Sequence, residues 1–356
     1  MAKEARDEHK LRAVEFGDDW RFVYPASERH WETLCELEDQ LDARKVKYET
    51  VIAHINGALE QTPEWIEGLT LRGEMHEQLG RPAEAEADYR TAYELGTGAL
   101  PEGFNDKLIW GDLNNRPFLR AASAYAHLLV QQQRYKDAIP LLRRILKWNP
   151  NDNQGVRYTL GPALLRAGRA VQAQSVLRRT ADENPAMRYE LGLVQIEGEA
   201  WIEAATTLRR GGIENPYITP MLCGMKVPAP MALRMGCNLN DRSGALYYTR
   251  QWAARWRSNQ EATDFLWWLY THPKVMAERA AVLGPVEELL WEHEPARRGA
   301  IIEQHNNRVA AIDDSLSEVI VTRRWDGRNT PDYPWRVLRE RQEQWDRGPF
   351  GDAGQS

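Results

Sequence analysis

The sequence has no apolar run approaching the roughly 18 residues that a membrane-spanning helix needs, which argues against a helical membrane protein. Cysteine is scarce. Cys35, Cys223 and Cys237 stand apart with no paired spacing, so neither a disulfide framework nor a CxxC zinc site is expected. Positive charge is not in excess: 46 Lys and Arg face 52 Asp and Glu, for a net charge of −6. No overall basic field is available to hold nucleic acid or an anionic membrane. A glycine-rich phosphate loop, a GxSxG elbow and a Cys/His catalytic pair are all missing. The 8 histidines show no metal spacing, and His293 and His305, with Glu294 and Glu303 nearby, do not form an HExxH pattern. The stretch from Asn149 to Gly155 has a calcium-loop look, but it lacks the first aspartate and carries Leu160 where a bidentate glutamate belongs. It reads instead as a helix stop followed by a helix start. The expectation is therefore no metal, no cofactor and no catalytic residue. The first ten residues, MAKEARDEHK, are charged throughout and offer no secretion signal, so a soluble cytoplasmic protein is expected.

What the sequence does contain is helical periodicity. Over residues 118–132, Leu119, Ala122, Tyr125, Ala126 and Leu129 fall at three- and four-residue spacing, one apolar face of a helix. Residues 135–148 repeat the pattern with Ala138, Leu141, Leu142, Ile145 and Leu146, and Asn149-Pro150 ends it because proline disfavours helix before it. Two such helices bury each other only in part and need neighbours.

The neighbours are repeats. Ala138, Ala173 and Ala204 recur at close to a period of roughly 34 residues, and Ala85 stands further off because an insertion follows it. Gly73, Ala126, Gly161 and Gly192 occupy the matching place in the preceding helices, where two backbones must approach. Tyr89, Leu142, Leu177 and Leu208 are the large residues four after each alanine; Gly80, Gly168 and Gly198 mark turns, and Pro150, Pro185 and Pro216 mark ends. The Arg pairs of the second helices, Arg143-Arg144, Arg178-Arg179 and Arg209-Arg210, are expected to face solvent.

These columns resemble the tetratricopeptide repeat. The resemblance implies an all-α, right-handed superhelical solenoid of helix-turn-helix repeats with helical caps at both ends. Over about residues 115–269, the segments NNRPFLRA, NPNDNQGVRY, NPYITPMLCGMKVPAP and RSGALYYTRQWAARW are similar to bacterial tetratricopeptide proteins related to the suppressor-of-tumorigenicity-7 family. That family offers no catalytic residues to carry over.

In order, residues 1–24 read as an N-terminal extension ending in an aromatic arm, Trp20 to Tyr24. Residues 25–216 read as the repeat array with an insertion at about 96–115, residues 217–320 as a helical C-terminal region, and residues 321–356 as a partly disordered tail. Tyr248, Trp252 and Trp256 form an i, i+4, i+8 stripe of the kind that usually builds a core.

In such arrays the resemblance implies a concave groove lined by the first helices. Its residues here would be Glu67, Thr70, Glu74, Glu77 and Gln78, then Arg120, Ser123, His127, Val130 and Gln131. The third repeat would give Gly155, Tyr158, Pro162, Leu165 and Arg166, and the fourth Ala186, Tyr189, Leu193, Ile196 and Glu197. The groove grades from acidic, through Arg120, His127 and Arg166, to apolar. The expected partner is a protein or peptide segment with an acidic centre and an apolar end, bound chiefly by Arg120, His127, Gln131, Tyr158, Arg166, Tyr189 and Leu193. Leu108, Ile109 and Trp110 of the insertion are secondary contact candidates. A peptide- or nucleic-acid-responsive regulator, or an enzyme with a site in the C-terminal helices, are the alternatives.

Overall fold

The computed structural model describes residues 10–24, 27–228, 241–325, 327 and 330–347. The leader before residue 10, Cys237, the last residues of the Pro-rich joint and the tail from residue 348 lie outside the described residues. The chain folds as two compact units, Met1–Arg169 and Ala170–Ser356. Both are built from successive helices, 17 of them among the described residues, so the fold class is the all-α helical repeat that the periodicity predicts.

The first unit opens with an antiparallel hairpin, β1 (Arg12–Phe16) and β2 (Asp19–Val23), where the sequence suggested only an extended arm. Helices α1 (Ser27–Asp42), α2 (Tyr48–Gln61), α3 (Ile66–Gln78), α4 (Pro82–Gly98), α5 (Arg116–Gln131), α6 (Tyr135–Trp148) and α7 (Arg157–Arg166) follow. Leu34, Leu37, Val51, Ile55, Trp65, Leu71 and Met75 form one apolar cluster, so α1 and α2 cap α3. The repeat columns pack as the spacing predicts: Ala85, Tyr89, Ala138 and Leu142 are fully buried. A Cβ placed on Gly73 would stand 2.5 Å from the Tyr89 ring, which is why the crossing position carries no side chain.

The hairpin is fastened to this unit by apolar and polar contacts. Phe22 is fully buried with its ring 5.0 Å from Phe118, itself 5.1 Å from Trp148. Burying side chains of this size contributes about 1.5–3 kcal/mol each. The Asn115 amide, also fully buried, donates to the carbonyls of Trp20 (2.8 Å) and Ile109 (3.2 Å) and accepts from the Phe22 N–H (3.2 Å). One side chain thus ties the hairpin to the insertion.

Asp152 accounts for the calcium-like stretch. Its buried carboxylate accepts from the backbone N–H of Val156 (2.7 Å) and Arg157 (2.9 Å) and from the Arg157 guanidinium (3.0 Å), capping the start of α7. Asp152→Ala is expected to destabilise this unit by about 2 kcal/mol, seen as a lower urea midpoint at unchanged slope. A midpoint equal to wild type would contradict the capping role.

The second unit comprises α8 (Ala170–Thr180), α9 (Pro185–Glu197), α10 (Trp201–Glu214), α11 (Ile218–Leu222), α12 (Arg242–Arg257), α13 (Gln260–Thr271), α14 (Pro273–Glu288), α15 (Pro295–Ala310), α16 (Asp314–Ile320) and α17 (Pro334–Arg347). Pro185 opens α9 rather than ending α8. The Asn184 side chain caps the helix by accepting from the Ala186 N–H, and a proline in the first turn forfeits only an amide that lacks a helical partner. A Cβ on Gly192 would lie 2.7 Å from Leu208, the same close crossing as in the first unit.

Two expectations about side chains differ in outcome. Tyr248, Trp252 and Trp256 are core, with the Trp256 indole N–H donating to the Tyr248 hydroxyl (3.0 Å). Arg209, expected to face solvent beside Arg210, is instead buried. Helices α14 and α16 lie against α10, and the Arg209 guanidinium bonds the Glu278 carboxylate, the Asp313 carbonyl (2.9 Å) and the Ser317 hydroxyl (2.8 Å). Arg143, Arg144, Arg178 and Arg179 do face solvent. At the far end of the unit, Trp335 of α17 is buried with its ring 4.9 Å from Trp201 and 4.7 Å from Phe265.

Candidate functional site

Helices α3, α5 and α7 carry the sequence-predicted positions of the first unit. Glu67 and Glu74, two turns apart, share one face of α3. The Glu67 carboxylate lies 3.9 Å from the Arg120 guanidinium of α5, at the outer limit of an ion pair. Burial holds the Glu67 carboxyl above the ordinary carboxylate range; Arg120 opposes that shift and the charge of Glu38, on α1, adds to it. Burial raises Glu74 as well, the charges of Glu38 and Glu77 adding to it and Arg120 opposing. Glu77 accepts from the Tyr89 hydroxyl (2.7 Å), and the buried Thr70 hydroxyl is spent on the Ile66 carbonyl (2.9 Å).

The insertion reaches this face through one residue. The Trp110 ring faces the guanidinium groups of Arg116 (5.1 Å) and Arg120 (5.7 Å), a cation–π arrangement. Arg116 also donates to the Trp110 carbonyl (3.1 Å). Ile109 is half-buried, its carbonyl held by Asn115. Leu108, a candidate contact by sequence, is fully buried with its N–H on the Trp148 carbonyl (2.8 Å), so it serves the core.

His127 bridges α5 to α7. Its Nδ1 lies 2.7 Å from the Ser123 carbonyl, an acceptor only, so Nδ1 carries the proton. Nε2 is then free, in the neutral ring, to accept from the Thr159 hydroxyl at 2.9 Å. Gln131 is exposed. Tyr158 is half-buried beneath the Arg157 guanidinium, 4.4 Å from its ring, and Arg166 is half-buried at the end of α7. Arg120, His127, Gln131, Tyr158 and Arg166 therefore all reach the surface of the first unit.

Of the fourth-repeat positions, Tyr189, Leu193 and Ile196 do not. In the second unit Tyr189 and Leu193 are fully buried, because the chain's own helices α11 to α13 cover that face of α9. The Tyr189 hydroxyl shares a hydrogen bond with Thr219 (2.9 Å), and its ring lies 5.8 Å from Tyr248. Burial raises the Tyr189 hydroxyl well above its usual value. Glu197 forms an ion pair with Arg255 of α12. The apolar end of the predicted groove is thus filled from within, which removes Tyr189 and Leu193 as contact residues.

The periodicity did not single out Glu38 or Tyr24. The signal for Tyr24 was its place in the aromatic arm; Glu38 had none beyond lying on a polar helix face. The Tyr24 hydroxyl is buried beside the backbone amide of Phe118. Burial pushes it far up, the Glu67 charge adds to that, and the nearby backbone amide of Phe118 opposes. Among the described residues no group of three or more His, Cys, Asp or Glu could hold a metal ion, and no helix is long and apolar enough to cross a membrane. Cys35 and Cys223 are free thiols, Cys223 pushed up to about 12 by burial.

Comparison with known proteins adds the following. Two tetratricopeptide-repeat family models match, one over residues 129–195 and one over residues 66–95. No curated protein matches the chain. Similar solved structures include YrrB, described as a tetratricopeptide protein with an unusual peptide-binding site. It is 15% identical with a TM-score of 0.38, and the match covers 63% of this chain and 96% of that one. PilF of Pseudomonas aeruginosa is 15% identical with a TM-score of 0.40, covering 67% of this chain and 97% of that one. MamA of Desulfovibrio magneticus RS-1, from residue 41 to its end, is 16% identical with a TM-score of 0.34, covering 53% and 93%. Residues 66–95 and 129–195 are accordingly tetratricopeptide repeats within an all-α chain of paired helices.

Proposed function

We propose that the α3–α5–α7 face of the first unit binds an extended segment of a partner protein, making the chain a non-catalytic adaptor or scaffold. Tetratricopeptide repeats as a class mediate protein–protein interaction. The observation that carries the reading is a contrast between the units. Tyr158 and His127 of the first unit reach solvent, as do Arg120, Gln131 and Arg166, whereas Tyr189 and Leu193, which stand in the columns of Tyr158 and His127, are covered by the chain itself. A partner with an acidic residue would place it near Arg120, His127 and Arg166, as charge complementarity requires. The kinship with bacterial proteins related to the suppressor-of-tumorigenicity-7 family, the division into an array over 25–216 and a C-terminal region over 217–320, and a cytoplasmic setting belong to the same proposal. Free Cys35 and Cys223 accord with a reducing compartment.

The test is capture from the source cell's extract with full-length wild type beside an Arg120→Glu/Arg166→Glu variant whose melting curve matches. A protein recovered by the wild type and at least about 10-fold less by the variant is expected, since reversing two interface charges costs more than about 1.4 kcal/mol. Equal recovery by the two would overturn the groove reading.

A further inference from the structure

We infer that the aromatic socket of Trp201, Phe265 and Trp268 is a peptide site which α17 occupies in cis. The partner it fits is a helical segment of another protein with one tryptophan and two arginines at the spacing of Trp335, Arg336 and Arg339. The inference concerns the Ala170–Ser356 unit and does not rest on the reading of α3, α5 and α7.

The walls of the socket touch one another without help from α17. Trp201 of α10 and Phe265 of α13 lie 5.4 Å apart between ring centroids, and Trp268 stands 5.8 Å from Phe265. Trp335 enters among the three at 4.9, 4.7 and 5.0 Å, its own ring stacked on Tyr333 at 4.6 Å. Along the rim, Glu261 and Asp264 of α13 are three residues apart, as are Arg336 and Arg339 of α17. Arg336 pairs with Glu261, and Arg339 with Asp264 at 3.3 Å. Two carboxylates one turn apart thus meet two guanidinium groups at the same spacing.

What marks α17 as a ligand is how little of it the fold uses. It packs chiefly on α13. Trp335 is 1% exposed and is the helix's one buried side chain among those described, whereas Leu338 to Glu343 are exposed. Both ion pairs stand at the surface, where such pairs add little stability and serve mainly to set register. One buried aromatic anchor with charges beside it, on a helix otherwise in water, is the anatomy of helix-in-groove recognition. The fit is also incomplete. The indole N–H of Trp201, in the socket wall, is buried without a hydrogen-bond partner, and an unsatisfied buried donor is costly. Trp335 brings it no acceptor, because an indole N–H only donates. A partner segment that places an acceptor there gains what α17 forgoes, and so competes with a helix that the chain holds at high local concentration.

The experiment uses the full chain and a fluorescein-labelled peptide of residues 330–347, followed by anisotropy. Trp335→Ala empties the socket and is expected to bind the peptide at least about 10-fold tighter than wild type, whose socket is filled for most of the time. Arg336→Glu/Arg339→Glu keeps Trp335 but sets like charges against Glu261 and Asp264. It is expected to take the peptide too, and it decides the matter if Trp335→Ala does not fold. The same peptide carrying Trp335→Ala should not bind. Adding Glu261→Arg/Asp264→Arg to the Trp335→Ala chain should abolish binding of the natural peptide and confer binding of one carrying Arg336→Glu/Arg339→Glu, an exchange that loss of stability alone does not produce. Failure of the folded variants to bind the peptide, or equal binding of the peptide without its tryptophan, would overturn the inference. So would a wild-type dimer that becomes a monomer as Trp335→Ala, since the occupant would then be a second copy.

Discussion

Arg209→Ala is expected to destabilise the Ala170–Ser356 unit by about 3–5 kcal/mol, the loss typical when one partner of a buried ion pair is removed. The Arg209 side chain is 1% exposed and bonds α14 through Glu278 and the α16 region through Asp313 and Ser317. Removing it strands the Glu278 carboxylate and leaves the Asp313 carbonyl without this donor. Arg209→Met/Glu278→Leu removes both charges and should recover most of the loss, because two apolar side chains of similar volume need no counterion. Arg178→Ala, at an exposed position of α8, should stay within about 0.5 kcal/mol of wild type. Hydrogen exchange of α10 and α16, read by mass spectrometry across a urea series, resolves the effect to this unit. A loss under about 1 kcal/mol, the size of an exposed pair, would mean that the guanidinium does not bridge the three helices.

Asn115→Leu is the second large expectation, at about 3 kcal/mol. The replacement has similar bulk, so little of the effect comes from a cavity. It comes from three backbone groups, the Trp20 and Ile109 carbonyls and the Phe22 N–H, that lose their partner while buried. The exchange rate of the Phe22 amide is the most direct readout. It should rise by two orders of magnitude or more if its protection depends on Asn115, since each factor of ten corresponds to about 1.4 kcal/mol. Unchanged protection at Phe22 would show that the hairpin is held by its aromatic contacts alone.

Much of the helical framework was legible because it is written in local spacing. Ala85, Ala138, Ala173 and Ala204 are all fully buried, and Gly73 and Gly192 meet the large residues that the repeat columns paired with them. The hairpin was also marked. Gly17-Asp18 separates two short segments rich in β-formers, and Gly17 has φ +63, the left-handed value such turns exploit. The high charge around it masks that signal, since charged stretches at a chain start resemble a leader. What periodicity could not supply was which faces the chain later covers. Tyr189 and Leu193 stand where a first helix presents its groove face, but Thr219 and Tyr248, well along the sequence, decide that they are buried. Arg209 likewise looks like a solvated member of an Arg pair until Glu278 and Ser317 are brought to it. The candidate site was legible residue by residue, as Glu67, Glu74, Arg120 and Trp110. The cation–π contact that joins Trp110 to Arg120 was not, because it depends on how the insertion folds back on α5.

The Asn115 anchor also has a kinetic meaning. A plain repeat array makes contacts only between neighbours, so it can nucleate anywhere and grow one helix pair at a time. Here the first unit is completed only when Asn115 meets backbone groups 93 and 95 residues before it. Closing so long a loop adds an entropic step that no amount of local helix propensity shortens. During synthesis the Asn115 bonds to the hairpin cannot form until the start of α5 has emerged. The beginning of the first unit is thereby coupled to its middle, a contact across the array that a plain stack of neighbouring repeats does not have.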